Sequence, residues 1–213
     1  MKKKKKILLV GGGGHCKSCI EVIESTNEFE IAGIIDLESK IGENILGYKF
    51  IACDDDLPKL RDKYDYALIT VGQIKSGDLR RKLFNFVKDI GFKLPVIISS
   101  TAYVSMNSSI GGGSVIMHQA MINADVVIGE NNILNTKALI EHDVIIGDNS
   151  HISTNVILNG NVKIGNNCFV GSGTVLENGI TIKDSIIIGM KSLVRKSILD
   201  EGTYVGNPLR KII

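Results

Sequence analysis

A six-residue periodicity runs through the second half of the sequence and constrains the fold more than any other feature. From Val104 to Val194, sixteen positions spaced six residues apart are all Ile, Val or Leu. About two residues in five are aliphatic here, so such a run has a chance probability on the order of 10⁻⁶. The repeat predicts a coiling chain in which each hexad supplies one short strand with an inward aliphatic side chain.

Glycine recurs directly after the aliphatic position, at Gly111, Gly129, Gly147, Gly165, Gly171 and Gly189. Because glycine tolerates backbone conformations that other residues avoid, we expect the tight corner between strands at this position. The first four of these glycines are 18 residues apart, which indicates three strands per coil. Residues 99–213 are therefore predicted to form roughly five coils of a triangular, all-β parallel solenoid.

Residues 1–98 have a different pattern, in which short apolar runs alternate with amphipathic segments. The runs at residues 7–10, 31–35 and 67–71 predict buried parallel strands. The intervening residues 17–25, 57–63 and 78–90 predict helices. Such alternation predicts a small α/β, Rossmann-like domain in front of the solenoid.

A glycine-rich turn joins the first predicted strand to the first predicted helix. It reads Gly11-Gly12-Gly13-Gly14-His15, and backbone amides in such a turn can approach a phosphate at the helix N-terminus. Cys16 stands where the dinucleotide fingerprint requires its last glycine. Asp36 ends the next strand, about where a carboxylate meets a ribose hydroxyl. A mononucleotide therefore fits better than a dinucleotide, and a purely structural turn is the alternative.

Composition and charge argue against several classes of protein. Basic residues number 25 against 23 acidic ones, and five of the basic residues lie together at positions 2–6, so no broad nucleic-acid-binding face is indicated. Cys16 and Cys19 lack a second Cys or His pair at zinc-ribbon spacing, which favours reduced thiols and no metal. The apolar run at residues 7–10 is too short for a signal peptide, and no run is long enough for a membrane span. We expect a cytoplasmic protein.

His142 is the most informative histidine. It follows the inward-facing Ile140 by two residues, so we expect it at a corner of the solenoid rather than in the core. Imidazole titrates near neutral pH and suits a general base, and a neighbouring carboxylate from Asp143 or Glu141 would raise its basicity. A solvated corner without function is the alternative. No nucleophile elbow is present and Cys168 faces inward, so a covalent acyl-enzyme is not expected.

Several longer strings give a more specific indication. The segments LNTKALIEHDVIIGDNSHIS, GNVKIGNNCFVGSGTVL and YVGNPLRKI, together with the strand-GGGGH-helix unit, resemble the NeuD/PglD-like sugar O/N-acetyltransferases. These enzymes belong to the hexapeptide-repeat acyltransferases, and the resemblance covers essentially the whole chain. It implies a left-handed β-helix, acetyl-CoA as co-substrate, no metal, and a homotrimer with active sites between neighbouring solenoids. It also implies a role in bacterial surface glycans such as lipopolysaccharide.

The same resemblance implies roles for individual residues. His142 would be the general base and Asp143 its partner. The nucleotide sugar would be held by Gly13, Gly14, His15, Asp36, Leu37, Gly72 and Asn135. Leu37 stands where an acidic residue is expected, and Met190 where glycine is expected. The acetyl donor would contact His151, Ser172 and Met190.

Three activities are compatible with these features. The first is acetyl-CoA-dependent N-acetylation of a nucleotide-linked amino sugar of the 4-amino-4,6-dideoxy type, by direct attack with a histidine base. The second is O-acetylation of a sialic or other nonulosonic acid, and the third is a non-catalytic solenoid that binds a sugar nucleotide. A nicotinamide dehydrogenase is disfavoured by the half-size first domain. Trimer contacts are expected from aliphatic residues outside the hexad column, such as Ile133, Leu139 and Ile157.

Overall fold

The N-terminal part is a five-stranded sheet covered by helices. The computed structural model describes residues 4–74 and 76–212, so Lys2 and Lys3 of the basic run lie outside the described residues. The strands are β1 Lys5–Val10, β2 Phe29–Ile35, β3 Asn44–Ile45, β4 Tyr48–Ala52 and β5 Tyr66–Ile69. The helices are α1 Gly14–Glu24, α2 Leu57–Leu60 and α3 Asp78–Asp89, and short 3-10 turns span Glu38–Lys40 and Asp54–Asp56. The predicted α/β architecture is confirmed.

The sheet has the strand order β3-β4-β2-β1-β5 and is parallel except for the β3–β4 hairpin. Alternate residues of β1 enter different cores. Ile7 and Leu9 pack with α1 residues, whereas Leu8 and Val10 pack with α3 residues. Burial on both faces explains the uninterrupted apolar run of β1. All parallel strands end at one edge, which carries the glycine turn.

The C-terminal part is the parallel β-solenoid that the hexads predict, with the left-handed coiling that the resemblance implies. Its strands are β6 Ile97–Ile98, β7 Tyr103–Val104, β8 Ser109–Ile110, β9 Val115–Ile116, β10 Met121–Ile122, β11 Val127–Ile128, β12 Ile133–Leu134, β13 Leu139–Ile140, β14 Ile145–Ile146, β15 His151–Ile152, β16 Ile157–Leu158, β17 Lys163–Ile164, β18 Phe169–Val170, β19 Val175–Leu176, β20 Thr181–Ile182, β21 Ile186–Ile188, β22 Leu193–Val194, β23 Gly202–Val205 and β24 Arg210–Lys211. The first strand, β6, lies just before the boundary expected at residue 99.

These strands stack into three sheets, which form the three faces of a triangular prism. Face 1 contains β6, β9, β12, β15, β18, β21, β23 and β24; face 2 contains β7, β10, β13, β16, β19 and β22; and face 3 contains β8, β11, β14, β17 and β20. Partners are one coil of 18 residues apart, as in Ile133 with Val115 and His151. The hexad residues from Ile116 onward form one continuous buried column. We call the edges corner 1/2, corner 2/3 and corner 3/1 after the faces they join.

The corners differ from the sequence expectation in one respect. The left-handed backbone falls three residues after the hexad aliphatic, at Asp143 with φ of 60° and Asn149 with φ of 57°, rather than at the glycine. Asn and Asp tolerate this conformation better than most residues. The glycines are needed for close approach instead, because a Cβ on Gly111 would lie 2.5 Å from the carbonyl carbon of Gly129 in the next coil. The expectation of a turn at the glycine itself was therefore wrong.

The α/β part sits on face 1 of the solenoid. Val115 and Met117 of face 1 share a core cluster with Ile20 and Ile23 of α1. The fully buried Arg80 of α3 ties the two parts together. Its guanidinium donates to the carbonyl oxygens of Ile69 (2.6 Å), the last residue of β5, and of Val71 (2.9 Å) just beyond it. It also donates to the carbonyl oxygen of Asn131 in the solenoid (3.4 Å).

Burial lowers the pKa of Arg80 to about 10, which still leaves the guanidinium charged at neutral pH. Because a buried donor group is costly to leave unpaired, these carbonyl contacts fix the end of β5 against the solenoid. In residues 4–74 and 76–212, no helix combines the length and apolarity needed to cross a membrane.

Candidate active site

A cavity of about 630 Å³ opens at the edge of the sheet where the parallel strands end. Six of the residues predicted to hold a nucleotide sugar line it: Gly13, Gly14, His15, Asp36, Leu37 and Gly72. Ligands of open parallel sheets bind in such crevices. The volume suits a small nucleotide ligand.

The glycine turn forms the floor of this cavity. Gly11 has φ of +102°, and a Cβ there would meet Val71; a Cβ on Gly12 would meet the ring of Phe50. Gly13 and Gly14 face open space, so their role does not depend on steric clearance. The first turn of α1 starts at Gly14, where unpaired amides and the helix dipole favour an anion.

Asp36 is held rigidly beside the turn. Its carboxylate accepts the Gly12 N–H (2.6 Å) and the Leu37 N–H (2.7 Å), and it forms an ion pair with Lys40 (3.0 Å). Burial opposes ionisation, but these hydrogen bonds and the Lys40 charge outweigh it and lower the pKa of Asp36. An ionised carboxylate with a spare lone pair can accept a ribose hydroxyl. The Leu37 side chain is 65% exposed and offers no polar group.

Two cavity residues, Lys40 and Asp54, were missed by the sequence analysis. Lys40 lies one helical turn after Asp36, a spacing that permits an ion pair. Asp54 follows β4, which was not predicted because exposed residues interrupt its apolar pattern.

His15 is half-buried at the side of the cavity. Its Nε2 lies 3.4 Å from Cys19 Sγ, and a Cβ on Gly72 would lie 3.3 Å from its Cβ. Burial, and then the charge of Arg80, lower the pKa of His15 to about 3. His15 is therefore neutral at physiological pH and can offer a phosphate a hydrogen bond but no positive charge.

His151 occupies the junction between the α/β part and face 1. Its Nδ1 lies 2.6 Å from the carbonyl oxygen of Gln73, so Nδ1 must carry the proton, and Nε2 accepts from Asn135 Nδ2 at 3.1 Å. Burial lowers the pKa of His151 to about 4, so this ring is a neutral positioning group rather than a base. A contact between His151 and the acetyl donor stays a prediction.

His142 has the opposite environment. It lies on corner 2/3 with 61% of its side chain exposed, and its Nδ1 is 2.7 Å from Asp143 Oδ2. The hydrogen bond to Asp143, followed by the charges of Asp143 and Glu141, raises the pKa of His142. With its Nδ1 proton directed at the carboxylate, the ring presents the Nε2 lone pair outward as a base.

Two further contacts define the His142 ring. Glu141 accepts a hydrogen bond from Asn123 Nδ2 (2.9 Å), which leaves Asp143 as the carboxylate partner between the two that the sequence allowed. Gly160, one coil above, provides clearance, because a Cβ there would lie 2.7 Å from the ring's Cε1. The imidazole therefore rests against the Gly160 backbone.

The remaining predicted residues lie on corner 1/2. Ser172 lies two coils beyond Asn135 on this edge, and Met190 lies one coil beyond Ser172. Ser172 Oγ is 2.9 Å from Ser153 Oγ, and Met190 is 74% exposed. The predicted site residues thus occupy the cavity, corner 1/2 and corner 2/3, and one chain does not bring all of them together. Among the described residues, no group of three or more His, Cys, Asp or Glu side chains is arranged to hold a metal ion.

Changing Asp143 to Asn is expected to move the acidic limb of the kcat/KM–pH profile to lower pH. Asp143 raises the pKa of His142, and only the neutral ring accepts a proton, so removing the carboxylate extends the neutral form to lower pH. The maximal rate should fall because the imidazolium loses its partner. Initial rates over pH 5–9 measure both effects. Asp125→Asn, at the same left-handed turn one coil earlier, is the matched control and should leave the limb in place.

Comparisons with known proteins agree with this architecture. The family described as the PglD N-terminal domain matches residues 6–87, and the bacterial transferase hexapeptide repeat family matches residues 143–178. PerB from Caulobacter crescentus, a structure with CoA and GDP-perosamine, is 31% identical, with a TM-score of 0.91 and coverage of 97% of each chain. No curated protein sequence matches the chain significantly.

Two other solved structures have the same fold over nearly the whole chain. The acetyltransferase domain of PglB from Neisseria gonorrhoeae, in complex with acetyl coenzyme A, is 28% identical, with a TM-score of 0.90 and coverage of 99% of this chain and 100% of that one. WeeI from Acinetobacter baumannii is 23% identical, with a TM-score of 0.84 and coverage of 98% and 100%.

A hexapeptide solenoid joined to a nucleotide-sized cavity defines an acyltransferase of the hexapeptide-repeat class. Within that class, the chain belongs to the PglD/NeuD-like sugar acetyltransferases.

Proposed function

We propose that this protein transfers the acetyl group of acetyl-CoA to the amine of a nucleotide-linked amino sugar. The exposed His142–Asp143 pair, on a chain that also has a nucleotide-sized cavity, carries the proposal. PerB, whose structure holds CoA and GDP-perosamine, supports both substrates. The resemblance found in the sequence supports a 4-amino-4,6-dideoxy sugar and a pathway to surface glycans. All four cysteines are unpaired, which fits a reducing compartment such as the cytoplasm.

The catalytic site is shared between two chains of a homotrimer. The α/β part covers face 1, and corner 2/3 is the edge of the triangular prism opposite that face. A sugar bound in the cavity therefore cannot reach His142 of its own chain. It can reach His142 of a neighbour whose corner 2/3 lies beside corner 1/2 and the cavity.

The outward side of face 2 supports this association. Its outward residues are all apolar: Tyr103, Met121, Leu139, Ile157, Val175 and Leu193. Tyr103 and Met121 are 56% and 45% exposed in the single chain, and burying such a stripe is a usual driving force for oligomers. Leu139 and Ile157, two of the residues expected to form trimer contacts, belong to this stripe, and their contact with a neighbouring chain stays a prediction. The expectation for Ile133 was wrong, because face 1 lies under the α/β part and Ile133 is fully buried.

Acetyl-CoA fits along corner 2/3. A cavity of about 670 Å³ lies at the C-terminal end of this corner, lined by Arg195, Lys196, Arg210 and Lys211 among others. Lys196 is three coils above His142, and at about 4.8 Å per coil the two positions are about 14 Å apart along the axis. A pantetheine arm can span that distance while basic side chains meet the CoA phosphates.

The reaction then needs a base and no covalent enzyme intermediate. The sugar amine attacks the thioester carbonyl carbon, a C–N bond forms, and the C–S bond breaks. His142 Nε2 accepts the proton that the amine loses, and Asp143 stabilises the resulting imidazolium. The departing CoA sulfur takes up a proton and leaves as the thiol. The buried Cys168, whose thiol pKa burial raises to about 11, takes no part.

The test is release of CoA thiol from acetyl-CoA with a panel of acceptors. UDP-, GDP- and dTDP-linked 4-amino sugars are compared with free sialic acid. We expect turnover with one nucleotide amino sugar and none with the free sugar. Turnover with sialic acid alone would establish O-acetylation instead. If none of the acceptors in the panel caused thiol release, the proposal would be contradicted.

A further inference from the structure

The strand order gives the nucleotide cavity two distinct ends. β1 leads into the glycine turn and β2 into Asp36, while β4, on the far side of β2, leads towards Asp54. β5, on the other side of β1, leads to Gly72 and Ile74 beside the solenoid. A nucleoside diphosphate with its phosphates at the turn and its ribose at Asp36 therefore directs its base to Asp54.

Asp54 differs from the two aspartates that follow it. Its side chain lines the cavity, whereas Asp55 is exposed and Asp56 Oδ2 accepts the N–H of Cys53 at 3.2 Å. In the part of the chain that the structure describes, the environment of the Asp54 carboxylate includes burial and neighbouring charges but no hydrogen-bond donor. Burial, then the charges of Asp36 and Asp55, raise the pKa of Asp54. Hydrogen-bond donors on a ligand would offset this unfavourable environment.

The nucleobases differ in what they offer a carboxylate. Guanine presents two adjacent donors, N1–H and the N2 amino group, which match the two oxygens of one carboxylate. Uracil and thymine present a single N3–H donor between two carbonyl oxygens. A carboxylate that accepts from N3–H is repelled by these two oxygens. Adenine and cytosine place a ring acceptor beside their amino group. A site that hydrogen-bonds a particular group rejects analogues without it, because its own polar atoms are then left unpaired.

We infer that Asp54 is a specificity residue that selects guanine, so that the acceptor is a GDP-linked amino sugar. This inference rests on the proposed function for the identity of the sugar acceptor. The selection of guanine as the nucleobase rests on the cavity alone. The two can therefore be tested separately.

The test is calorimetric binding of GDP, IDP, UDP and XDP to the full-length protein; the chain has no Trp, so intrinsic fluorescence is a poor probe. IDP lacks the N2 amino group, so GDP should bind about tenfold tighter or more. UDP should bind more weakly than GDP. Asp54→Asn should abolish the preference of GDP over IDP and favour XDP, whose C2 carbonyl can accept from an amide. The matched control, Asp55→Asn, should leave the wild-type order unchanged.

The outcomes separate this inference from the proposed function. Equal or tighter binding of UDP, or a GDP-to-IDP ratio unchanged in Asp54→Asn, would overturn the role of Asp54 and leave N-acetyl transfer standing. A gain of XDP binding in Asp54→Asn supports direct contact with the base, because a merely structural defect weakens all four nucleotides together. Failure of every nucleotide to bind would overturn both the role of Asp54 and the nucleotide cavity.

Discussion

Changing His142 to Asn is expected to lower kcat by about 10²- to 10⁴-fold, the usual contribution of a general base. Asparagine approximates the size of imidazole and can still bond to Asp143, but it cannot accept a proton at neutral pH. Substrate binding should change little, because His142 lines neither the nucleotide cavity nor the basic cavity proposed for the CoA phosphates. The measurement is the rate of CoA thiol release at saturating acetyl-CoA and acceptor.

The fold of this variant can be checked independently. His142 is a corner residue outside the buried hexad column, so the thermal unfolding midpoint should stay within a few degrees of wild type. Nucleotide binding should also be retained. A variant that binds both substrates and keeps full activity would exclude His142 as the base. A loss confined to KM would make His142 a binding residue instead.

The solenoid was predictable because its register repeats. Each hexad places one aliphatic in the core, and sixteen consistent positions leave little freedom in the pairing of coils. The position of the turn was less predictable. Glycine suits both a left-handed backbone and a close approach of two chain segments, so the sequence does not reveal which of the two a glycine serves. In the structure, Gly111 allows the close approach, and the left-handed residue is elsewhere, as at Asn131 with φ of 57°.

The candidate site was predictable where the motif lies in a contiguous segment. The glycine turn and Asp36 follow consecutive parallel strands, so their convergence follows from topology. Lys40 and Asp54 also line this cavity, but neither belongs to a motif that can be recognised in the sequence. The choice of Asp143 over Glu141 also depends on Asn123, a residue one coil away.

The proposed division of the site between chains depends on which face the α/β part covers. Nothing in the hexad pattern distinguishes the three faces, since the inward residues are alike. The decisive contacts come from isolated polar residues such as Arg80 and Gln73, whose partners are 51 and 76 residues away in sequence. A site shared between chains can nonetheless be tested directly, by combining two variants that are each inactive alone.

Mixing two inactive variants is expected to restore activity. His142→Asn lacks the base, and Gly14→Asp places a carboxylate where the phosphates bind; the Gly14 Cβ position faces open space, so the second variant should fold. A shared site is competent when the neighbour supplies His142 and the chain that holds the sugar supplies an intact cavity. Random assembly of equal amounts gives this pairing in about a quarter of sites.

The experiment uses co-expression of the two variants with different affinity tags, followed by purification on both tags in turn. Trimers that carry both variants should regain a substantial part of wild-type turnover, since each contains one competent site in a cyclic arrangement. Each variant purified alone is the control and should stay nearly inactive. If His142 acted on the nucleotide sugar bound to its own chain, no mixed trimer would contain an intact site. Activity no greater than that of the separate variants would therefore exclude the shared site, while any large recovery requires that one chain's histidine serve another chain's cavity.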